Sequence, residues 1–100
     1  MNITKRKPLS PGELLNEEFI QPLGLTQEGL AQRTGVARRR INEIVCGRRG
    51  ITPDTAVRLA RAFGTTPEFW LNLQNRYDLW MTLNDPKARN EYRRIRRIAA

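Results

Sequence analysis

Arg38, Arg39 and Arg40 stand in a row, with Asn42 two positions on and a further basic pair at Arg48 and Arg49. A guanidinium keeps its charge and presents a rigid fork of N–H donors, and a carboxamide sets donor beside acceptor. Such groups recognise; they do not react. They match phosphate oxygens and base edges, and none of them serves as a nucleophile or a general base. The chain has no histidine and a single cysteine, Cys46, so an intrachain disulfide is impossible and a structural zinc site is unsupported. Asp78 and Asp85 stand too far apart to suggest a two-metal centre. The composition therefore predicts a protein that is not an enzyme and needs neither metal nor cofactor.

The charge is distributed to match. Of a formal net +8, the surplus falls on two blocks: residues 31–61 carry eight basic and two acidic side chains, and residues 87–100 carry six and one. Between them lies a mildly acidic, aromatic stretch. A basic surplus concentrated over one short motif points to a polyanionic partner. The absence of any long apolar run argues against a membrane span. The basic start of the chain has no apolar core of the kind a secretion signal needs. A lone thiol fits a reducing cytoplasm.

The elements that must position the arginines follow from punctuation. Thr26 reads as the cap of one short helix, and Gly35 as a turn in the left-handed region. A second helix is expected from about Arg38 to Cys46, ended by Gly47. At about 100° per residue, Ala37, Ile41, Ile44 and Val45 gather on one side of it. Arg39, Asn42, Glu43 and Cys46 gather on the other, with Arg38 and Arg40 at the flanks. Ala37 has no side-chain acceptor and is a weak cap.

A helix with one anchored face and one polar face suits the major groove of double-stranded DNA, where arginine pairs with guanine and asparagine with adenine. Arg38, Arg39 and Asn42 are the expected base-contacting residues. Gln27, Arg40, Arg48 and Arg49 are the expected phosphate contacts; for Arg48 and Arg49 a solvated loop is the plainer alternative. Glu43 could accept from cytosine, hold an arginine in place or repel phosphate. Cys46 reads as a partly buried, inert thiol, with a redox-sensitive one as the alternative.

The remaining helices frame this pair. Residues 1–9 read as a flexible basic arm containing Lys5, Arg6 and Lys7. Ser10-Pro11 reads as a helix start, with Glu13 taken as one residue short of capping-box spacing. Leu14, Leu15 and Phe19 form its apolar stripe, and Pro22 and Gly24 end it. Thr52-Pro53-Asp54 and Thr66-Pro67-Glu68 each start another helix. The first supplies Ala56, Val57, Leu59, Ala60 and Phe63 to the core. The second, roughly 67–81, carries Trp70, Leu73, Tyr77 and Trp80. That stripe either closes the monomer core or meets a partner, and Trp70, Leu73, Tyr77 and Trp80 are the expected dimer or partner contacts. After Asp85-Pro86, residues 87–98 suggest a short basic helix. It is a frayed tail, a DNA-backbone contact or a dock for an acidic partner.

The stretches SPGELLNEEFIQPLGLTQEGLA and RINEIVCGRRGITPDTAVRLARAFGTTPEFWLNLQNRYDL together resemble the HigA/VapI-type antitoxins, within the lambda-repressor-like, Xre-type helix-turn-helix group. The resemblance covers roughly residues 10–82. It departs from the family at Ser10, where histidine is usual, and at Ala37, where the wider group has serine. It implies an all-α fold, namely a five-helix helix-turn-helix domain over 10–83 with a basic tail or short helix over 84–100. It also implies that Gln27, Arg38 and Arg39 match the wider family's DNA-contacting positions, with Asn42 one turn on. The implied function is a dimeric repressor that binds the operator of its own operon and neutralises a HigB-like toxin, a small mRNA endonuclease of the RelE type. The alternative is a stand-alone Xre-type regulator with no toxin.

Overall fold

The computed structural model describes residues 6–99, which form six helices with no strand among them. Helix α1 (Pro11–Leu14) runs directly into a wider π-helical stretch, Leu15–Ile20. It is followed by α2 (Gln27–Thr34), α3 (Arg38–Val45), α4 (Pro53–Phe63), α5 (Pro67–Leu83) and α6 (Pro86–Arg94). Residues 1–5 of the expected arm, Lys5 among them, lie outside the described residues. Of the rest, Arg6 and Lys7 are exposed, and the Lys7 ammonium lies 6.0 Å from the Tyr77 ring centroid. No helix among the described residues is long and apolar enough to cross a membrane.

Local chemistry sets the helix starts. Thr26, Thr52 and Thr66 each accept a backbone N–H three residues on, at 2.9, 3.4 and 3.1 Å, which satisfies donors that the first turn leaves free. At α1 the cap is reciprocal. Ser10 Oγ accepts from the Glu13 N–H at 3.1 Å, and the Glu13 carboxylate accepts from the Ser10 N–H at 3.4 Å. The expectation that Glu13 falls short of the box is thereby corrected: Pro11 and Gly12 fill the first two helical positions, so Glu13 stands at the third. Only α3 begins uncapped, at Ala37 with φ −59° and ψ 139°. Ala37 is also exposed, which corrects its expected place on the core side. It precedes the first helical residue, so the wheel does not apply to it, and Val36 takes the buried place instead. Because that backbone already has the extended geometry of a cap, Ala37→Ser is expected to add about 1 kcal/mol. A thermal melt should read this as a rise of roughly 4–8 °C.

The core consists of Leu15, Ile20, Leu30, Ala31, Val36, Ile41, Ile44, Ile51, Ala56, Leu59, Ala60 and Trp70. Trp70, expected on a partner-facing stripe, is instead fully buried. Its Nε1 donates to Thr65 Oγ1 at 2.8 Å, and its ring packs against Phe19, Phe69 and Phe63 with centroids 5.0, 5.1 and 6.1 Å away. With both its apolar body and its polar tip satisfied inside the monomer, Trp70 is not a surface residue. Val57, expected in the core, is 41% exposed. The broad apolar side of α4 is wider than the face its neighbours cover.

Gly12 fixes where α3 sits. A Cβ at this position would overlap the Ile44 carbonyl oxygen, so the α1 backbone rests directly on the α3 backbone. From the other side Arg58 of α4 locks the turn between α2 and α3. Its Nη1 donates to the Thr34 carbonyl at 3.0 Å, and its Nε donates to Asp54 at 3.0 Å. Gly35 has φ +74°, and a Cβ there would stand 2.8 Å from Arg58 Nη1. Glycine at this turn thus answers both to the left-handed backbone and to the guanidinium lying over it.

Helix α5 runs two residues past its expected end, and α6 stops at Arg94, short of the expected 98. Ile95 and Ile98 lie beyond it, 72% and 92% exposed. None of the α6 side chains is buried, so this helix contributes little to the core.

Candidate nucleic-acid interface

Helix α3 buries Ile41 and Ile44 and turns its polar face outward. Eight residues at 1.5 Å each make a rod of about 12 Å, comparable to the width of a major groove. Arg38, Arg39, Arg40 and Asn42 are all exposed on it, and Arg48 and Arg49 are exposed in the loop that follows. The residues expected to meet bases and those expected to meet phosphate therefore lie on one helix and its adjoining loop. Gln27, at the start of α2, joins them across the turn.

Contacts between side chains order this surface. The Asn42 Nδ2 donates to Gln27 Oε1 at 3.2 Å. This ties the two helices at their polar edges. Arg38 Nε lies 3.9 Å from Glu28 of α2. Glu43 faces two cations at once: its Oε1 lies 3.8 Å from Arg39 Nε and 3.7 Å from Arg49 Nε. Ala37, Arg39, Arg40, Glu43 and Arg49 line a shallow groove there. Exposed pairs of this length add little to folding stability.

The loop carrying Arg48 and Arg49 is docked from behind. Gln74 Oε1 of α5 accepts from the Ile51 N–H at 2.8 Å, and its Nε2 donates to Asp78 at 2.9 Å. Arg48 N–H donates to the Glu43 carbonyl at 2.8 Å. Sequence reasoning passed over Gln74, Glu28 and Arg58, and nothing in the spacing marked them, since each acts through an element distant in the chain. Cys46 is exposed, which corrects the expected partial burial. It lies at the α3 C-terminus, where the last turn leaves the core.

On α5, Leu73 packs against the core, and Tyr77 and Trp80 are half-buried further along. Met81 and Leu83 beyond them are 44% and 40% exposed. The distal half of α5 therefore keeps the apolar surface that Trp70 does not supply. Among the described residues no group of His, Cys, Asp or Glu is placed to hold a metal ion.

Two short helices crossing at a glycine turn, the second held by its apolar side and open on its basic side, define a helix-turn-helix protein. The helix-turn-helix family model matches residues 17–70. The chain is 47% identical over 85 residues to antitoxin HigA-1 of Vibrio cholerae, covering 84% of this chain and 79% of that one. Among solved structures, antitoxin GraA in complex with its operator aligns with a TM-score of 0.85 at 37% identity, over the whole of both chains. The Pseudomonas aeruginosa antitoxin HigA with the higBA promoter aligns at 0.84 and 34% identity, over 92% of this chain and 99% of that one. The chain belongs to the HigA/VapI-type antitoxin family, a group of regulators and not of enzymes.

Proposed function

We propose that this protein is an operator-binding antitoxin: it represses its own toxin–antitoxin operon and neutralises a HigB-like, RelE-type mRNA endonuclease. The observation that carries the reading is the exposed face of α3, where Arg39 and Asn42 stand outward on a helix pinned by Gly12 and Arg58. Arg38, Arg39 and Asn42 read base edges. Gln27, Arg40, Arg48 and Arg49 grip phosphates on either side. Solved relatives bound to operator and promoter DNA, 34–37% identical to this chain, support the operator-binding reading.

One eight-residue helix reads few base pairs, and helix-turn-helix proteins extend their reach by pairing over two half-sites. The homodimer proposed here uses the distal α5 surface around Tyr77 and Trp80, with Leu73 supporting it from the core side. Repression and toxin capture then belong to one assembly. Co-expression with the product of the adjacent gene tests the toxin half. A stable complex that abolishes that product's mRNA cleavage is expected. No complex, with operator binding intact, would make the protein a stand-alone regulator instead.

Phosphate and base contacts separate by salt. Arg48→Ala is expected to weaken operator and scrambled duplex alike and to lower the salt slope of binding by about 0.9 per protomer. Titrations at four salt concentrations measure this. A loss confined to the operator would place Arg48 at a base.

A further inference from the structure

Glu43 is the only carboxylate between Glu28 and Asp54, a span holding six arginines. It lies on the face expected to meet DNA, where a negative charge opposes binding. Its side chain is only 25% exposed, and one oxygen, Oε1, stands within 4 Å of two guanidinium groups from different elements. Both pairs use the Nε edge. At 3.7–3.8 Å these are ion pairs and not hydrogen bonds, and an arginine approached along Nε leaves its two terminal nitrogens open to donate in parallel to guanine O6 and N7 or to a phosphate. Arg39, with a side chain 91% exposed, would otherwise sample many orientations and reach any nearby phosphate.

We infer that Glu43 is a positioning residue that sets sequence discrimination: it turns the terminal nitrogens of Arg39 toward the bases and those of Arg49 toward the backbone, while lowering attraction for DNA at large. The inference rests on the operator-binding reading above. Its sign is distinctive. A residue that only repels phosphate would weaken binding to every sequence equally. A residue that orients a base-reading arginine alters the ratio of specific to non-specific affinity, because the orientation counts only where a guanine waits.

The test uses the full-length protein as wild type, Glu43→Gln, Arg39→Ala and the double variant. Each is titrated against its footprinted operator duplex and a scrambled duplex of equal length and composition, with thermal melts to confirm equal folding. Glu43→Gln is expected to tighten scrambled DNA roughly three- to tenfold while gaining little on operator, so that the ratio falls by about that factor. In the Arg39→Ala background the same substitution should leave the ratio almost unchanged. Equal tightening on both duplexes, or a ratio effect that persists without Arg39, overturns the assignment. A wild-type protein with no operator preference overturns the operator reading itself, and this inference with it.

Discussion

Replacing Arg39 by alanine is expected to weaken operator binding about tenfold to a hundredfold per half-site and binding to scrambled DNA by only about threefold. The estimate follows from one bidentate base contact, worth about 1–3 kcal/mol in discrimination, at about 1.4 kcal/mol per tenfold. The residue suits such a test. Its side chain is 91% exposed and among the described residues it pairs with Glu43 alone, across 3.8 Å, so its removal should leave folding stability within about 0.5 kcal/mol. Loss of affinity can then be read as lost contact and not as lost fold. Competition titrations with both duplexes measure the effect, and an equal loss on both would move Arg39 to the phosphate group.

Trp70→Ala is expected to act through the fold alone. Removing a fully buried tryptophan costs about 3–5 kcal/mol, against a total stability of about 5–15 kcal/mol for a domain of this kind. The site cannot collapse easily, because Phe19, Phe63 and Phe69 surround the ring. Thr65 Oγ1 also loses its donor. A fall in Tm of at least about 12 °C is the expected reading in a calorimetric scan. Trp70→Phe should recover much of it, since it restores ring volume without the indole N–H. A loss of dimerisation with unchanged monomer stability would contradict the buried placement.

Trp70 illustrates what the sequence could and could not disclose. Helix starts were legible because they are local: a threonine or serine cap, a first-turn proline and an early acid lie within four residues of one another. The glycine turn at Gly35 was legible for the same reason, and it adopts positive φ. The outward face of α3 followed from periodicity, since Ile41 and Ile44 leave little choice of which side is buried. Periodicity does not say what covers an apolar stripe. On α5 it grouped Trp70 with Tyr77 and Trp80, although the π-helical stretch and α4 close over the first through Phe19 and Phe63 and leave the others near the surface. It also placed Val57 inside, because a wheel carries no knowledge of where neighbouring helices end; for Cys46 it gave the outward side, and the expectation of partial burial set that aside.

The order within the interface was less legible than its membership. The arginines could be named from the sequence, but the groups that hold their helix, its turn and its loop come from elsewhere: Gln27 and Glu28 on α2, Gln74 on α5, Arg58 on α4. Each acts across at least ten residues of chain. Gly12 is similar. Nothing beside it in sequence calls for glycine, and only the passage of the Ile44 carbonyl over it does.

The central claim is that α3 carries base-specific recognition. Footprinting of the wild-type protein across the DNA upstream of its own gene tests it most directly, with Arg39→Ala run alongside at equal concentration. The account predicts two protected half-sites whose centres lie about 10 base pairs, or a multiple of that, apart, with protection lost in the variant. Uniform coating of the fragment with no discrete sites, or protection indifferent to Arg39, would contradict it.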